Sequence, residues 1–270
     1  MEDVLTEIPP PSRFFQEDLN NFTPASPPLP SPFLLFSNPK PDLPLRPSLL
    51  IITLSTQSHY VFHQMSPKML VGGLFLPEIP FSGNTIEPSL GDKSCNVYAL
   101  GSADNLTLLV SVQYSVSAER SNVVAKLLVG EKIIPERVLI LDSIQSRNFR
   151  GRLSSDVTYA FKLETSAERK HLDDCGGNSL LPNDVNHFPS GSVVDGLAAA
   201  LLAKCQMRNI RAALLVTWPN YVSSVVALIK SLLQRNVLRD VNMSLNGDDE
   251  NKHQRFSQMR DQPFDSELYT

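Results

Sequence analysis

The sequence predicts one α/β domain, a single-domain sandwich whose largely parallel or mixed sheet is flanked by helices. An extended proline-rich arm precedes it and a flexible tail follows it. Three observations lead there. Short apolar runs recur, too continuous for strands with one wet face and too short for buried helices. Stretches with helical periodicity lie among them. The last unit, residues 192–238, reads helix, strand, helix, the alternation of a sheet covered by its own crossovers.

Residues 1–47 hold twelve of the twenty-one prolines. Proline lacks an N–H donor, so Pro9-Pro10-Pro11 and the stretch from Pro24 to Pro32 exclude helix and central strand. Phe14, Phe15, Phe22, Phe33, Leu34, Leu35 and Phe36 are too apolar for a pure linker. The segment reads either as an arm lying on the domain or a partner, or as disorder.

The folded body spans residues 48–246, enough for one good core. Ser48-Leu49-Leu50-Ile51-Ile52-Thr53-Leu54 is its first strand, buried on both faces. Similar runs follow at 96–100, 106–113, 137–141 and 210–218. A weaker strand at 69–76 contains Gly72-Gly73, where tight packing or a bend is the simplest explanation. Residues 156–163 alternate, with Val157, Tyr159, Phe161 and Leu163 turned inward and the other face exposed.

Three segments have helical period. After Ser117, a possible cap, Val123, Val124, Leu127 and Leu128 share one stripe. Val194, Leu197, Ala198, Leu201, Leu202 and Cys205 repeat the pattern, with Ser192 and Asp195 in a capping arrangement. Beyond Pro219, which suits a first turn, Val222, Val225, Val226, Ile229, Leu232 and Leu233 form the clearest apolar face. Residues 164–191 read as a polar insertion loop, containing Asp173-Asp174 and Gly176-Gly177.

A net charge of −4 and a pI near 5.7 give no general attraction to nucleic acid or anionic membrane. Membrane insertion is also excluded because no apolar run approaches about eighteen residues. The acidic start Met1-Glu2-Asp3 has no secretory pattern. Cys95, Cys175 and Cys205 are widely spaced and odd in number, which suits a reducing compartment. The expected location is cytoplasmic, with nuclear residence also open.

Motifs for chemistry are scarce. No nucleophile elbow, phosphate loop or dinucleotide-binding glycine pattern is present. His59 and His63 have metal spacing for a helix, but Tyr60, Val61 and Phe62 between them favour strand, and no further ligand is near. Cys175 lacks an evident base or second cysteine. Asp142 ends a strand, where α/β folds place active residues, though it and Asp195 equally suit turn or helix caps. Arg147, Arg150 and Arg152 form a small basic cluster around Phe149, suited to phosphate, an acidic protein face or plain solvent. With no assembled constellation, we expect a binding protein rather than an enzyme, with no cofactor and no metal. Two other classes compete: a small-molecule enzyme on a phosphorylase-like scaffold, and a scaffold protein binding through its proline-rich arm.

The tail, residues 247–270, is charged and poor in large apolar residues, yet it finishes Leu268-Tyr269-Thr270. Nothing in its own folding calls for that ending. A docking peptide with an apolar anchor, an aromatic hydroxyl and a terminal carboxylate does. Within the body, Val193-Val194-Asp195-Gly196-Leu197-Ala198-Ala199-Ala200-Leu201-Leu202 and Ala212-Ala213-Leu214-Leu215-Val216-Thr217-Trp218-Pro219 resemble the proteasome assembly chaperone 1 family, in wording like its plant members. The resemblance implies a heterodimer with a second assembly chaperone of related fold. It implies that the pair binds proteasome α subunits, organises the α ring of the 20S particle and blocks premature docking of regulators. The family's C-terminal hydrophobic-tyrosine-any-residue motif matches Leu268, Tyr269 and Thr270. By that resemblance they insert between adjacent α subunits, the Thr270 carboxylate meeting a lysine.

Overall fold

The computed structural model describes residues 30–37, 44–65, 68–80, 82–85, 87–100, 106–175, 179–219 and 223–238. By contact the chain divides into Met1–Pro30 and Ser31–Thr270. Of the first unit only Pro30 is described, so the arm before it, like the tail after Leu238, lies outside the described residues. In the second unit the elements are β1 (Phe33–Phe36), β2 (Leu49–Thr53), α1 (Thr56–His63), β3 (Met69–Phe75), β4 (Cys95–Leu100) and β5 (Thr107–Val112). There follow α2 (Ala118–Lys126), β6 (Arg137–Ser143), β7 (Tyr159–Glu164), α3 (Ser166–Cys175), β8 (Asn186–His187), α4 (Gly196–Met207), β9 (Arg211–Trp218) and α5 (Ser223–Asn236).

The described strands form one sheet in the order β1-β3-β4-β5-β2-β6-β9-β7-β8. Its centre, β5-β2-β6-β9, is parallel, as is the short β7-β8 pair. The pairs β1-β3, β3-β4, β4-β5 and β7-β9 are antiparallel. The expected α/β sandwich with a mixed sheet is therefore what forms.

Every residue of β2 is buried because helices cover both sides of it. Leu50 and Ile52 join Val138, Ile140 and Leu214 beneath α2, the turn Leu127–Glu131 that follows it, and α4, which contribute Val124, Leu128, Leu197 and Leu201. Leu49 and Ile51 join Leu139, Leu141 and Leu215 beneath α1 and α5, through Phe62, Val226, Ile229 and Leu233. At about 25 cal/mol per Å² of apolar surface removed from water, these two layers dominate the stability of the fold.

Four local readings change. The His59–His63 stretch is helix α1, not strand: Ser55 takes the cap position and its Oγ accepts from the Ser58 N–H. The β-branched and aromatic residues that suggested a strand face the core from that helix instead. Phe33–Phe36, inside the segment read as arm, pairs with β3 as an edge strand, a position that tolerates the flanking prolines. Gly72 makes this possible, since a Cβ there would collide with the Leu35 carbonyl oxygen.

The insertion 164–191 also carries structure. It holds α3 and β8, and buries Leu180, Leu181 and Val185 in the core. It folds back over the face of β7 expected to be wet. Lys162 is consequently buried, its Nζ 3.1 Å from Glu164 Oε1 and donating to the Pro182 carbonyl at 3.4 Å. Finally, Pro219 forms a bend and α5 is described from Ser223, while residues 220–222 between them, Val222 included, lie outside the described residues.

Candidate functional site

Leu268, Tyr269 and Thr270 lie outside the described residues. The structure does place Leu238, the last residue described before them. At its start, α5 lies beside the opening of β7, with Thr158 Oγ1 and Ser224 Oγ 2.7 Å apart. At its end Asn236 Nδ2 donates to the Ser179 carbonyl at 3.1 Å. Next to Ser179, the Leu180 N–H donates to Glu168 Oε1 at 2.9 Å, and Glu168 Oε2 accepts from Nε of Arg211, the first residue of β9, at 2.8 Å. The buried Leu238 therefore lies at the edge where the parallel strands begin. The edge where they end is the opposite one.

That opposite edge carries a cleft, the usual ligand position of an open α/β sheet. Asp142 and Ser143 at the end of β6, Asn148, Phe188, Val194 and Asp195 help line it. It is shallow and open to solvent, with an enclosed volume of about 20 Å³, far below the roughly 300–1,000 Å³ of small-molecule sites. Burial pushes the Asp142 carboxyl up to about 6, and the neighbouring Asp195 charge adds to this. The Ser143 N–H, donating to Asp142 Oδ1 at 2.8 Å, offsets only part of it.

Asp195 occupies the cap position of α4 without capping it. Its Oδ2 instead accepts from Asn148 Nδ2 at 2.7 Å and sits 3.7 Å from Arg147 Nη2. Ser192 does not cap either; its Oγ accepts the Arg150 N–H at 2.8 Å. The loops before α4 and after β6 are thus tied together, and both residues act as tethers rather than caps.

A raised carboxyl beside an ion-paired one makes stability depend on pH. Folded Asp142 still holds its proton between about pH 4 and pH 6, where the unfolded chain has released it. Stability therefore falls as pH rises through that window, by about 2–3 kcal/mol. We expect Asp142→Asn to raise the denaturation midpoint at neutral pH and to gain progressively less as pH approaches 4. Equal gains at both ends would contradict the assignment.

The remaining residues singled out in the sequence do not converge. His59 Nε2 lies 3.0 Å from the Thr53 carbonyl. Lys68 Nζ donates to the Phe62 and His63 carbonyls at 3.0 and 2.8 Å, closing the end of α1, and stands 5.4 Å from the Tyr98 ring centre. Burial lowers both His63 and Lys68 from their ordinary values. No group of three or more His, Cys, Asp or Glu side chains is placed to hold a metal among the described residues. Cys95 and Cys205 are buried, free and pushed up to about 12 by desolvation, so they are inert as thiolates. The Cys175 side chain lies outside the described residues.

One structural residue escaped sequence reading although its signal was present. Thr165-Ser166-Ala167-Glu168 has the pattern of a capping box, and Thr165 Oγ1 does accept the Glu168 N–H, at 3.4 Å. Glu168 itself turns away to bind Leu180 and Arg211. Asn148 and Phe188 had no signal, because only the tertiary fold brings them to the cleft.

No protein-family model matches the sequence, nor does any curated protein sequence. Solved structures do share its fold. PbaB of Pyrococcus furiosus, an archaeal proteasome activator, superposes with a TM-score of 0.54 at 13% identity, over 85% of this chain and 96% of that one. PbaA of Pyrococcus furiosus, an archaeal homolog of proteasome-assembly chaperone, gives 0.53 at 15%, over 85% and 92%. A protein of unknown function from Thermoplasma acidophilum gives 0.54 at 13%, over 80% and 84%. At these identities the likeness establishes the architecture: the chain shares the fold of these three proteins across most of its length.

Proposed function

We propose that this chain is an assembly chaperone for the 20S proteasome and not an enzyme. It acts as a heterodimer with a second assembly chaperone, binds the α-subunit ring and blocks premature regulator docking. Leu268, Tyr269 and Thr270 insert between α subunits. The observation that carries this reading is the fold held in common with PbaA and PbaB across 85% of the chain, in a sequence that ends on the docking triplet. Further support comes from Phe33, Leu35, Met69 and Leu70, which leave exposed apolar surface on the outer strands for a partner chaperone to cover.

The test is capture by an N-terminally tagged full chain, compared with one ending at Glu267. Proteasome α subunits and a second small chaperone are expected with the full chain, and the chaperone alone with the shortened one. Capture of neither by the full chain overturns the reading.

One observation favours a different class. Asp142, raised by burial, stands in the cleft beside Asp195, and a raised carboxyl is a group that acid–base chemistry uses. An enzyme working there would lose its turnover on Asp142→Asn while still capturing every partner. A chaperone would lose neither.

A further inference from the structure

We propose that residues 144–158, between β6 and β7, form a second docking surface, which takes an acidic protein face through Arg147, Arg150 and Arg152. The inference goes beyond the tail and does not depend on it.

These fifteen residues contain one short turn, Ser146–Asn148, and no other regular structure. Connections of that length are either functional or loose. This one is pinned along its length. Besides the Asn148–Asp195 and Arg150–Ser192 bonds, the Val193 N–H donates to the Asn148 carbonyl at 2.8 Å. Trp218 Nε1–H donates to the Ser154 carbonyl at 3.0 Å, and Thr158 meets Ser224 on α5. Phe149 is the hydrophobic anchor, with ring centres 5.5 Å from Phe161 and 6.0 Å from Phe188.

What this fixed backbone presents is charge. Arg147, Arg150 and Arg152 are all exposed. Two of them are also aimed. Arg147 Nε donates to Gln145 Oε1 at 3.0 Å, while its Nη2 faces Asp195. The Arg150 stem lies against Gly191, which has a φ of +87°; a Cβ there would come within 2.7 Å of Arg150 Cδ and Nη1. Glycine at 191 thus keeps the space that Arg150 crosses. Among the described residues neither Arg150 nor Arg152 has an ion-pair partner. Guanidinium groups held in place before binding lose less entropy when a carboxylate pair arrives.

The class of partner follows from the surroundings. Val157 and Val193, 45% and 58% exposed, flank the arginines. Arginine beside apolar surface is the make-up of protein interfaces. Nucleic acid is a poorer fit, because a phosphate backbone offers the exposed valines no apolar surface. A second copy would set like charges against each other across a two-fold axis. The loop also sits on the edge of the sheet opposite Leu238, the last described residue.

The experiment uses the full chain with ¹⁵N-labelled arginine, titrated with hexaglutamate and, separately, with a short DNA duplex. The Nε–Hε signals of Arg150 and Arg152 are expected to shift saturably with hexaglutamate and less with DNA. Arg150→Glu with Arg152→Glu should weaken hexaglutamate binding by about tenfold or more, and the corresponding lysine pair by less. Should the reversed pair fail to fold, Arg150→Ala with Arg152→Ala replaces it, with the same expectation. No shift, undiminished binding by the variants, or preference for DNA overturns the proposal. So does an Arg150 shift on simply ending the chain at Asn246, which would make its own acidic tail the occupant.

Discussion

Replacing Glu168 by alanine is expected to destabilise the domain by about 3–5 kcal/mol, the range for removing one partner of a buried ion pair. The Glu168 side chain is fully buried, and both of its oxygens are committed, one to the Leu180 N–H and one to Arg211 Nε. Alanine leaves a buried amide without this acceptor and takes from the Arg211 guanidinium, 24% exposed, the carboxylate that its Nε meets. The damage should be local at first. Leu180, Leu181 and Val185 would lose the tie that holds them over β7, exposing the buried Lys162–Glu164 pair. Glu168→Gln keeps an acceptor for Leu180 and should cost less than alanine. Denaturant midpoints and amide exchange at residues 179–187 measure this. A loss under about 1 kcal/mol would show the pair to be dispensable.

On the proposed function, ending the chain at Glu267 is expected to give the second large effect, on binding rather than folding. Tyr269 can remove roughly 150–250 Å² from water, which at about 25 cal/mol per Å² is on the order of 4–6 kcal/mol. Ordering the tail takes back about 2–5 kcal/mol. At the middle of both ranges the net is about 1.5 kcal/mol, or roughly tenfold in affinity for α subunits. The loss is moderate because a body that also touches the ring would hold the tail at high effective concentration. Tyr269→Ala should reproduce most of it and Tyr269→Phe less, with thermal stability unchanged in both. Affinity measured on purified α rings decides the matter, and a truncation with no effect would remove the tail from the mechanism.

Recognition of the local elements succeeded where burial is two-sided or periodic. Leu49–Ile52, Val138–Leu141 and Ala212–Val216 are apolar without interruption because helices cover both of their faces, and that environment is written directly into composition. It failed where a residue's partner is remote. Lys162 reads as a solvated strand position, yet residues 179–185 cover it. Ser192 and Asp195 read as helix caps, yet their oxygens serve Arg150 and Asn148, more than forty positions away. His59 and His63 read as strand because local propensity is weak beside a serine cap and a core that rewards a helix.

By itself the sequence determined the α/β class, the central strands, the helices around 123, 201 and 229, and the chemical character of the tail. Each of these depends on residues close together in the chain, or on the one contrast between apolar and polar. Only the tertiary structure decided the order of the strands, the capture of Phe33–Phe36 as an edge and the folding of residues 164–191 back over β7. It alone raised Asp142 and set the arginine loop on the edge opposite Leu238. The reason is that desolvation, hydrogen-bond partnership and direction belong to pairs of residues far apart in sequence, and a linear pattern records the residues but not the pairs.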